Sequence, residues 1–444
     1  MKSFLHIIFV YSWSVSFEVV FNFTIWLSKF HSTLAHHVHL RSLLLQNMSL
    51  AKKFASSRPS FCFWCSSAGE YEQALPLIDK LIQQHQAQII IIFFSQSGYD
   101  FARSKKEKNL YFLFALDSVF FWNRFFSTLQ PQYTVVVRHE LWPAFLYSAQ
   151  KFSTLVLVNT SHPAELQQSF CKKYLKKYLV SFFDRIFVVA QKDYNYFNKQ
   201  YHVSKKRLLV GGDTKYERAY LRASNHPKEF HILEQEINKT GCKKQRLIVG
   251  SAWSKDIQLV LDSLLLLKKT TQAQVMIIPH KITKQVIEEV VLSCQKRNLS
   301  YLIIDQEKRL QVVKDLSVEV LIINAMGVLA DLYECGSLAY VGGGLHHQVH
   351  NVLEPFVYGI DVAFGPCYKN SPEACNLVSH NMAKVISNPH TLASWWLQQA
   401  QEETTNTLKF NKYIDKQLGA CDFILEKSLA PPSRKMDDSQ TLNH

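Results

Sequence analysis

The chain has 444 residues, 47% hydrophobic and 19% charged, with a formal net charge of +14. This composition excludes a disordered chain and suits two or three domains with large cores. The positive balance implies an acidic partner or surface. The absence of zinc-finger spacing, of an aromatic RNA-binding motif and of any long basic run sets nucleic acid aside.

The first element, Ser3 to Phe30, is mostly apolar and aromatic, with Glu18 and Asn22 inside it. It is long enough to span a bilayer, but a carboxylate near its middle is costly there. No small-residue cleavage site follows, and Lys29, Arg41, Lys52 and Lys53 lie on its C-terminal side. Residues 1–47 are therefore expected to associate with a membrane, with Glu18 favouring a shallow or tilted placement. The plainer alternative is a helix that forms part of a core.

From Phe61 onward, short apolar runs alternate with helical periodicity. Strands are expected at Phe61–Trp64, Ile89–Phe94, Thr134–Val137, Leu155–Val158, Ile186–Ala190 and Leu208–Val210. Ala74, Leu75, Ile78, Leu81 and Ile82 are expected on one face of an intervening helix. Cys62-x-x-Cys65 lies in the first apolar run with no second ligand pair nearby. It reads as buried strand cysteines, and the nine scattered cysteines read as reduced thiols. The pattern pauses at about 219–244, the expected linker. A second series follows at Leu247–Val249, Val275–Ile278, Tyr301–Ile304, Val320–Ile323 and Leu338–Val341. The expectation is α/β: two Rossmann-like domains, 48–224 and 245–428, facing a cleft at the C-terminal edges of their sheets, then a disordered tail, 429–444.

Each candidate site follows a strand. Glu70, in Ser66-Ser67-Ala68-Gly69-Glu70, sits at a strand-to-helix turn suited to a general base, and its spacing from Ser67 is equally that of a capping box. Glu140, in Arg138-His139-Glu140-Leu141-Trp142-Pro143, can serve the site or pair with Arg138 or Lys151. Gly211-Gly212-Asp213-Thr214 brings Lys215 and Arg218 to a turn, where they can meet a phosphate or a sugar carboxylate; a structural turn is the other reading. The second half offers Gly250-Ser251-Ala252-Trp253, Pro279-His280, Asn324-Ala325-Met326-Gly327 and Gly342-Gly343-Gly344, the last followed by His350-Asn351-Val352-Leu353-Glu354-Pro355. Glycines after a strand let backbone N–H groups approach an anion, and a carboxylate shortly afterwards can accept from a ribose diol. Together these suggest a nucleotide site.

Taken in order, SSAGEYEQALPLI, FFSQSGYD, HELWP, GGDTKYER, GSAW, IPH, INAMGVLADLY and VGGG…HNVLEP…GP resemble the bacterial 3-deoxy-D-manno-octulosonic acid (Kdo) transferases of lipopolysaccharide assembly. The resemblance spans about Phe61 to Ile386. It implies a B-type glycosyltransferase fold, CMP-Kdo as donor, a phosphorylated glucosamine-disaccharide lipid (lipid IVA) as acceptor, and inverting transfer with no metal or cofactor. Glu70 matches the family's general base and Glu140 a second acidic residue. Ser251, His280, Met326, Gly327, Gly343, Asn351 and Glu354 fall at donor-binding positions. The chain departs from the pattern at Trp64, where a histidine is usual, and at Asn159-Thr160-Ser161-His162-Pro163. Lys172, Lys173, Lys176 and Lys177 recur on one helix face and suit an anionic leaflet or acceptor phosphates, as they suit plain solvation. The implied location is the cytoplasmic face of the inner membrane. The alternatives are a UDP-sugar transferase or epimerase, or a degenerate relative that binds lipid.

Overall fold

A computed structural model describes residues 2–28, 59–104, 109–113, 117–162, 170–224, 246–268, 271–305, 318–401 and 406–429. Residues 29–47, the linker from 225 to 244 and the tail beyond 429 lie outside the described residues.

The chain forms two compact units, Met1–Arg218 with Gln417–His444, and Ala219–Lys416. The first holds a seven-stranded parallel sheet ordered β3-β2-β1-β4-β5-β6-β7. Its strands are β1 (Ser60–Cys65), β2 (Gln88–Phe93), β3 (Leu110–Leu113), β4 (Tyr133–Val137), β5 (Thr154–Thr160), β6 (Arg185–Val188) and β7 (Leu208–Val210). The strands are near-continuous apolar runs because helices cover both faces. Cys62 and Trp64 join one buried cluster with Trp122 and Phe145, while Phe61, Phe63 and Cys65 join the opposite one. Both cysteines are free and buried, and burial pushes their thiols up, as the strand reading expected. Trp64 is a core residue, its ring 4.4 Å from that of Phe145.

The helix Ala68–His85 buries Ala74, Leu75, Leu77, Ile78 and Leu81. Ile82 is exposed instead, because the stripe through 74, 77, 78 and 81 is centred away from it. The last turns also belong to this unit, not to the second as its expected limit at 428 would have them. Cys421, Ile424, Leu425 and Leu429 pack into the cluster that holds Phe61, Leu77 and Phe187.

The N-terminal helix, Lys2–Ser28, docks on the first unit. Val10 and Ser14 are fully buried. The Trp13 indole donates to Asp117 at 2.7 Å, Val119 N–H donates to Ser14 Oγ at 3.1 Å, and Ser118 hydrogen-bonds Glu18. Glu18 is thus answered by a protein hydroxyl. Among the described residues no helix is long and apolar enough to cross a membrane. Val15, Val19, Phe23 and Trp26 are exposed.

The second unit repeats the scheme with parallel strands ordered β10-β11-β9-β8-β12-β13-β14. They are β8 (Arg246–Ala252), β9 (Gln274–Pro279), β10 (Tyr301–Asp305), β11 (Val320–Asn324), β12 (Leu338–Val341), β13 (Asp361–Phe364) and β14 (Ala383–Val385). In each sheet the order reverses beside the first strand, between β1 and β4 and between β8 and β12. Open α/β sheets bind ligands outside the carboxyl ends of strands at such points.

Candidate functional site

Each candidate loop of the two sheets begins at the carboxyl end of a strand. In the first unit Glu70 follows β1. Its Oε2 accepts from Ser67 N–H at 2.7 Å, Ser67 Oγ at 2.6 Å and Ser66 Oγ at 2.6 Å. The Ser67 N–H bond is one half of a capping box, whose other half runs from the Glu70 backbone to the Ser67 side chain. Capping and catalysis are compatible here, because all three bonds converge on Oε2. The second helix of the motif set starts close by. A Cβ on Gly98 would come within 2.9 Å of Ala68 N, so only glycine lets the two helix starts approach this closely.

Glu140 follows β4 and accepts from the Trp142 indole at 2.9 Å. Lys151, one suggested partner, lies instead over the Tyr147 ring at 4.1 Å. Trp142 stacks with Phe94 at 5.3 Å, which joins the HELWP and FFSQSGYD segments. Arg138 and Asn159 close their strands with φ of 67° and 56°, a region uncommon outside glycine and typical of functional turns.

The Gly211-Gly212 turn is tied down. Thr214 Oγ1 donates to Gln73 O and accepts from Asn159 Nδ2, both at 2.6 Å. Arg218 pairs with Glu72 at 2.5 Å, and Lys215 N–H donates to Asp213 at 3.0 Å. Arg218 therefore holds two segments of this unit together.

In the second unit the loops after β8, β9 and β12 meet in an aromatic stack. His280 lies 4.6 Å from Trp253 and 4.5 Å from His350, with rings within about 22° of parallel. The Trp253 indole donates to His350 Nε2 at 3.0 Å. An indole N–H only donates, so that nitrogen is unprotonated. Burial, followed by His280, lowers the His350 pKa in agreement; burial, then Lys281 and His347, lowers that of His280. Trp253 and His280 also line a pocket of about 180 Å³ with Ile257, Gln258, Val286 and Val290.

The glycine loop is shaped by close contacts. A Cβ on Gly342 would meet Ser251 O at 2.3 Å, one on Gly344 would meet Gly365 N at 2.7 Å, and Gly343 has φ of 91°. Gly343 N–H donates to Asp256 Oδ2 at 2.9 Å, so the loop's middle amide is spent on structure. Ser251, at φ of 51°, turns the chain beneath it. Asn351 then does two things: its oxygen accepts Leu353 N–H at 3.1 Å and its amide donates to Glu354 Oε1 at 3.1 Å. This orients Glu354, which lies near enough to Tyr333 to raise that phenol further after burial has done so. Met326 is exposed, and Gly327 adopts φ of 76° beyond β11.

Sequence reasoning missed three fully buried carboxylates. Asp256 holds Trp253 N–H at 3.0 Å, Gly343 N–H at 2.9 Å and the Tyr340 hydroxyl at 3.2 Å. Asp193 holds His162, and Asp117 holds Trp13 and Trp122. Only Asp256 and Asp193 carried a signal, the three-residue spacing of a helix-start carboxylate.

This pair of Rossmann-like units is the B-type glycosyltransferase fold. The chain shares its fold with UDP-N-acetylglucosamine 2-epimerase from Neisseria meningitidis (TM-score 0.55, 13% identity, 84% of this chain and 100% of that one). A glycosyltransferase from Rickettsia africae is comparable, at TM-score 0.55 and 12% identity over 84% of this chain and 97% of that one. Residues 43–218 match the model of the 3-deoxy-D-manno-octulosonic-acid transferase (kdotransferase) family. A 3-deoxy-D-manno-octulosonic acid transferase from Aquifex aeolicus is 24% identical over 68% of this chain and 74% of its own length. Its counterpart from Chlamydophila psittaci is 23% identical over 83% and 86%. These matches support the Kdo transferase family, a family of glycosyltransferases.

Proposed function

We propose that the chain transfers Kdo from CMP-Kdo to a phosphorylated glucosamine-disaccharide lipid of the lipid IVA type, with inversion at the anomeric centre and without a metal. The first domain takes the acceptor and the second the donor. Glu70 removes the proton from the acceptor hydroxyl. The freed oxygen bonds to the anomeric carbon while the bond to the CMP phosphate breaks, its electron pair leaving with CMP. Glu140 is the second acidic group on the acceptor side. Ser251, His280, Met326, Gly327, Gly343, Asn351 and Glu354 form the CMP side, with Glu354 on the ribose.

The observation that carries this reading is Glu70: a carboxylate with one oxygen held by three donors, at the carboxyl end of β1, where the sheet order reverses. The likeness to Kdo transferases supports the donor. The exposed apolar face of Lys2–Ser28 and the Lys172–Lys177 cations support work at the anionic, cytoplasmic face of the inner membrane.

Incubating purified protein with CMP-Kdo and tetra-acylated disaccharide lipid, followed by mass analysis, tests the proposal. A product heavier by Kdo is expected, together with inhibition by CMP and not by UDP. No product, or inhibition by UDP alone, overturns it.

A further inference from the structure

The His162–Asp193 pair sits at the carboxyl ends of β5 and β6, outside the groups used above. Asp193 is fully buried. Its Oδ1 accepts His162 N–H at 2.9 Å and the ring Nδ1 at 2.5 Å, and its Oδ2 accepts Ala190 N–H at 2.9 Å. Capping the helix Gln191–Tyr201 requires only the last of these. The two bonds to His162 fix backbone and ring together, and Tyr196 packs beside the ring at 5.7 Å. With Nδ1 turned to Asp193, Nε2 is the nitrogen left to meet a ligand. The side chain is 26% exposed, so the ring reaches solvent.

Cationic groups gather at the same edge. His139 Nδ1 lies 3.5 Å from Thr160 Oγ1, two residues before His162. Loss of hydration, then Arg138 and Lys176, hold the His139 imidazole down to about 4, while Glu70 and Asp193 act on it in the opposite sense. That ring is thus within electrostatic reach of Glu70, of Asp193 and of two cations. Desolvation and Lys172 also lower the Lys176 ammonium, which is partly buried. Asp193 is consumed by its three bonds, so among the described residues Nε2 of His162 and the Arg138 and Lys176 cations can face a ligand here.

We propose that His162, oriented by Asp193 and grouped with Arg138 and Lys176, forms a subsite for a phosphate group of the acceptor. This rests on the reading under Proposed function and adds a substrate contact to it. A shared proton lies between Nε2 and a phosphate oxygen, whichever carries it, and the cations balance the remaining charge.

The test compares His162→Gln and Lys176→Gln with the unaltered protein on two acceptors, one phosphorylated and one dephosphorylated. The unaltered protein should prefer the phosphorylated acceptor. Each variant should lose about tenfold or more in kcat/KM on it, the loss expected for a hydrogen bond to a charged group, with little change on the other. Asp193→Asn should reproduce part of the loss by freeing the ring. CMP affinity and melting temperature report a fold defect separately. Equal losses on both acceptors, or none, overturn the subsite. If the unaltered protein transfers Kdo to neither acceptor, the functional reading fails, and the subsite is then tested with inorganic phosphate. Perturbation of the His162 side-chain NMR signals supports it; their constancy overturns it.

Discussion

Ser66 Oγ stands 2.6 Å from Glu70 Oε2, and this bond is surplus to helix capping, which Ser67 completes alone. A second hydroxyl on the same carboxylate oxygen fixes the direction of the other oxygen, which a base needs and a cap does not. Glu70→Gln keeps a carbonyl oxygen for Ser67 N–H, so the helix start should survive. Turnover should fall by about 10²–10⁴, the usual worth of a general base, with CMP affinity unchanged. Ser66→Ala should lower kcat by roughly tenfold, one charge-assisted bond, at near-normal melting temperature. Steady-state kinetics with calorimetry separates the two effects. Near-normal turnover by folded Glu70→Gln would remove Glu70 from the chemistry.

Glu354 is oriented by Asn351, whose side-chain oxygen also accepts the first N–H of the short helix Leu353–Phe356. Glu354→Ala should weaken CMP binding by about 1.5–3 kcal/mol, the range for a hydrogen bond to a charged group. Asn351→Ala should do part of the same damage indirectly. Calorimetric titration with CMP measures both, and an unchanged affinity for Glu354→Ala would move the ribose elsewhere.

The strands were legible because parallel sheets covered on both faces bury unbroken apolar runs such as Ile89–Phe93. β3, β13 and β14 were not. Each is only three or four residues long, and β3 and β14 lie at sheet edges, where few residues need be apolar. The capping box of Glu70 and the helix-start position of Glu354 were legible through local spacing and motif. The Asp117–Trp13 contact links residues 104 positions apart, and no local pattern encodes it. The glycine loop was legible as a loop. Its spent Gly343 amide was not, because Asp256 lies 87 positions away.

Asp256 is fully buried and satisfies two backbone amides and a tyrosine hydroxyl. Asp256→Ala leaves all three donors without that acceptor in a water-poor interior. The cost should be about 3 kcal/mol or more, by the penalty for unsatisfied buried groups. It should fall on the second domain, with loss of CMP binding as the glycine loop loosens. Calorimetric melting would check it, and an unchanged melting profile would show the loop to be held by other contacts.

The N-terminal helix has two faces with different tasks, so deleting it confounds them. Val10, Trp13, Ser14 and Glu18 face the first domain, and removing them would uncover the apolar surface around Trp122 and Phe145. Val15 and Val19 are exposed, 54% and 64%, with Trp26 further along at 52%. An exposed apolar stripe, with the Lys172–Lys177 cations in the same unit, suits shallow insertion into an anionic leaflet. Val15→Glu with Val19→Glu should therefore release the protein from vesicles containing anionic lipid, measured by co-sedimentation, while leaving its melting temperature and its activity on detergent-dispersed acceptor near normal. Alkaline carbonate should likewise extract the unaltered protein. Retention of the double variant on vesicles would shift the attachment to the lysine face, and Lys172→Glu with Lys173→Glu should then release it.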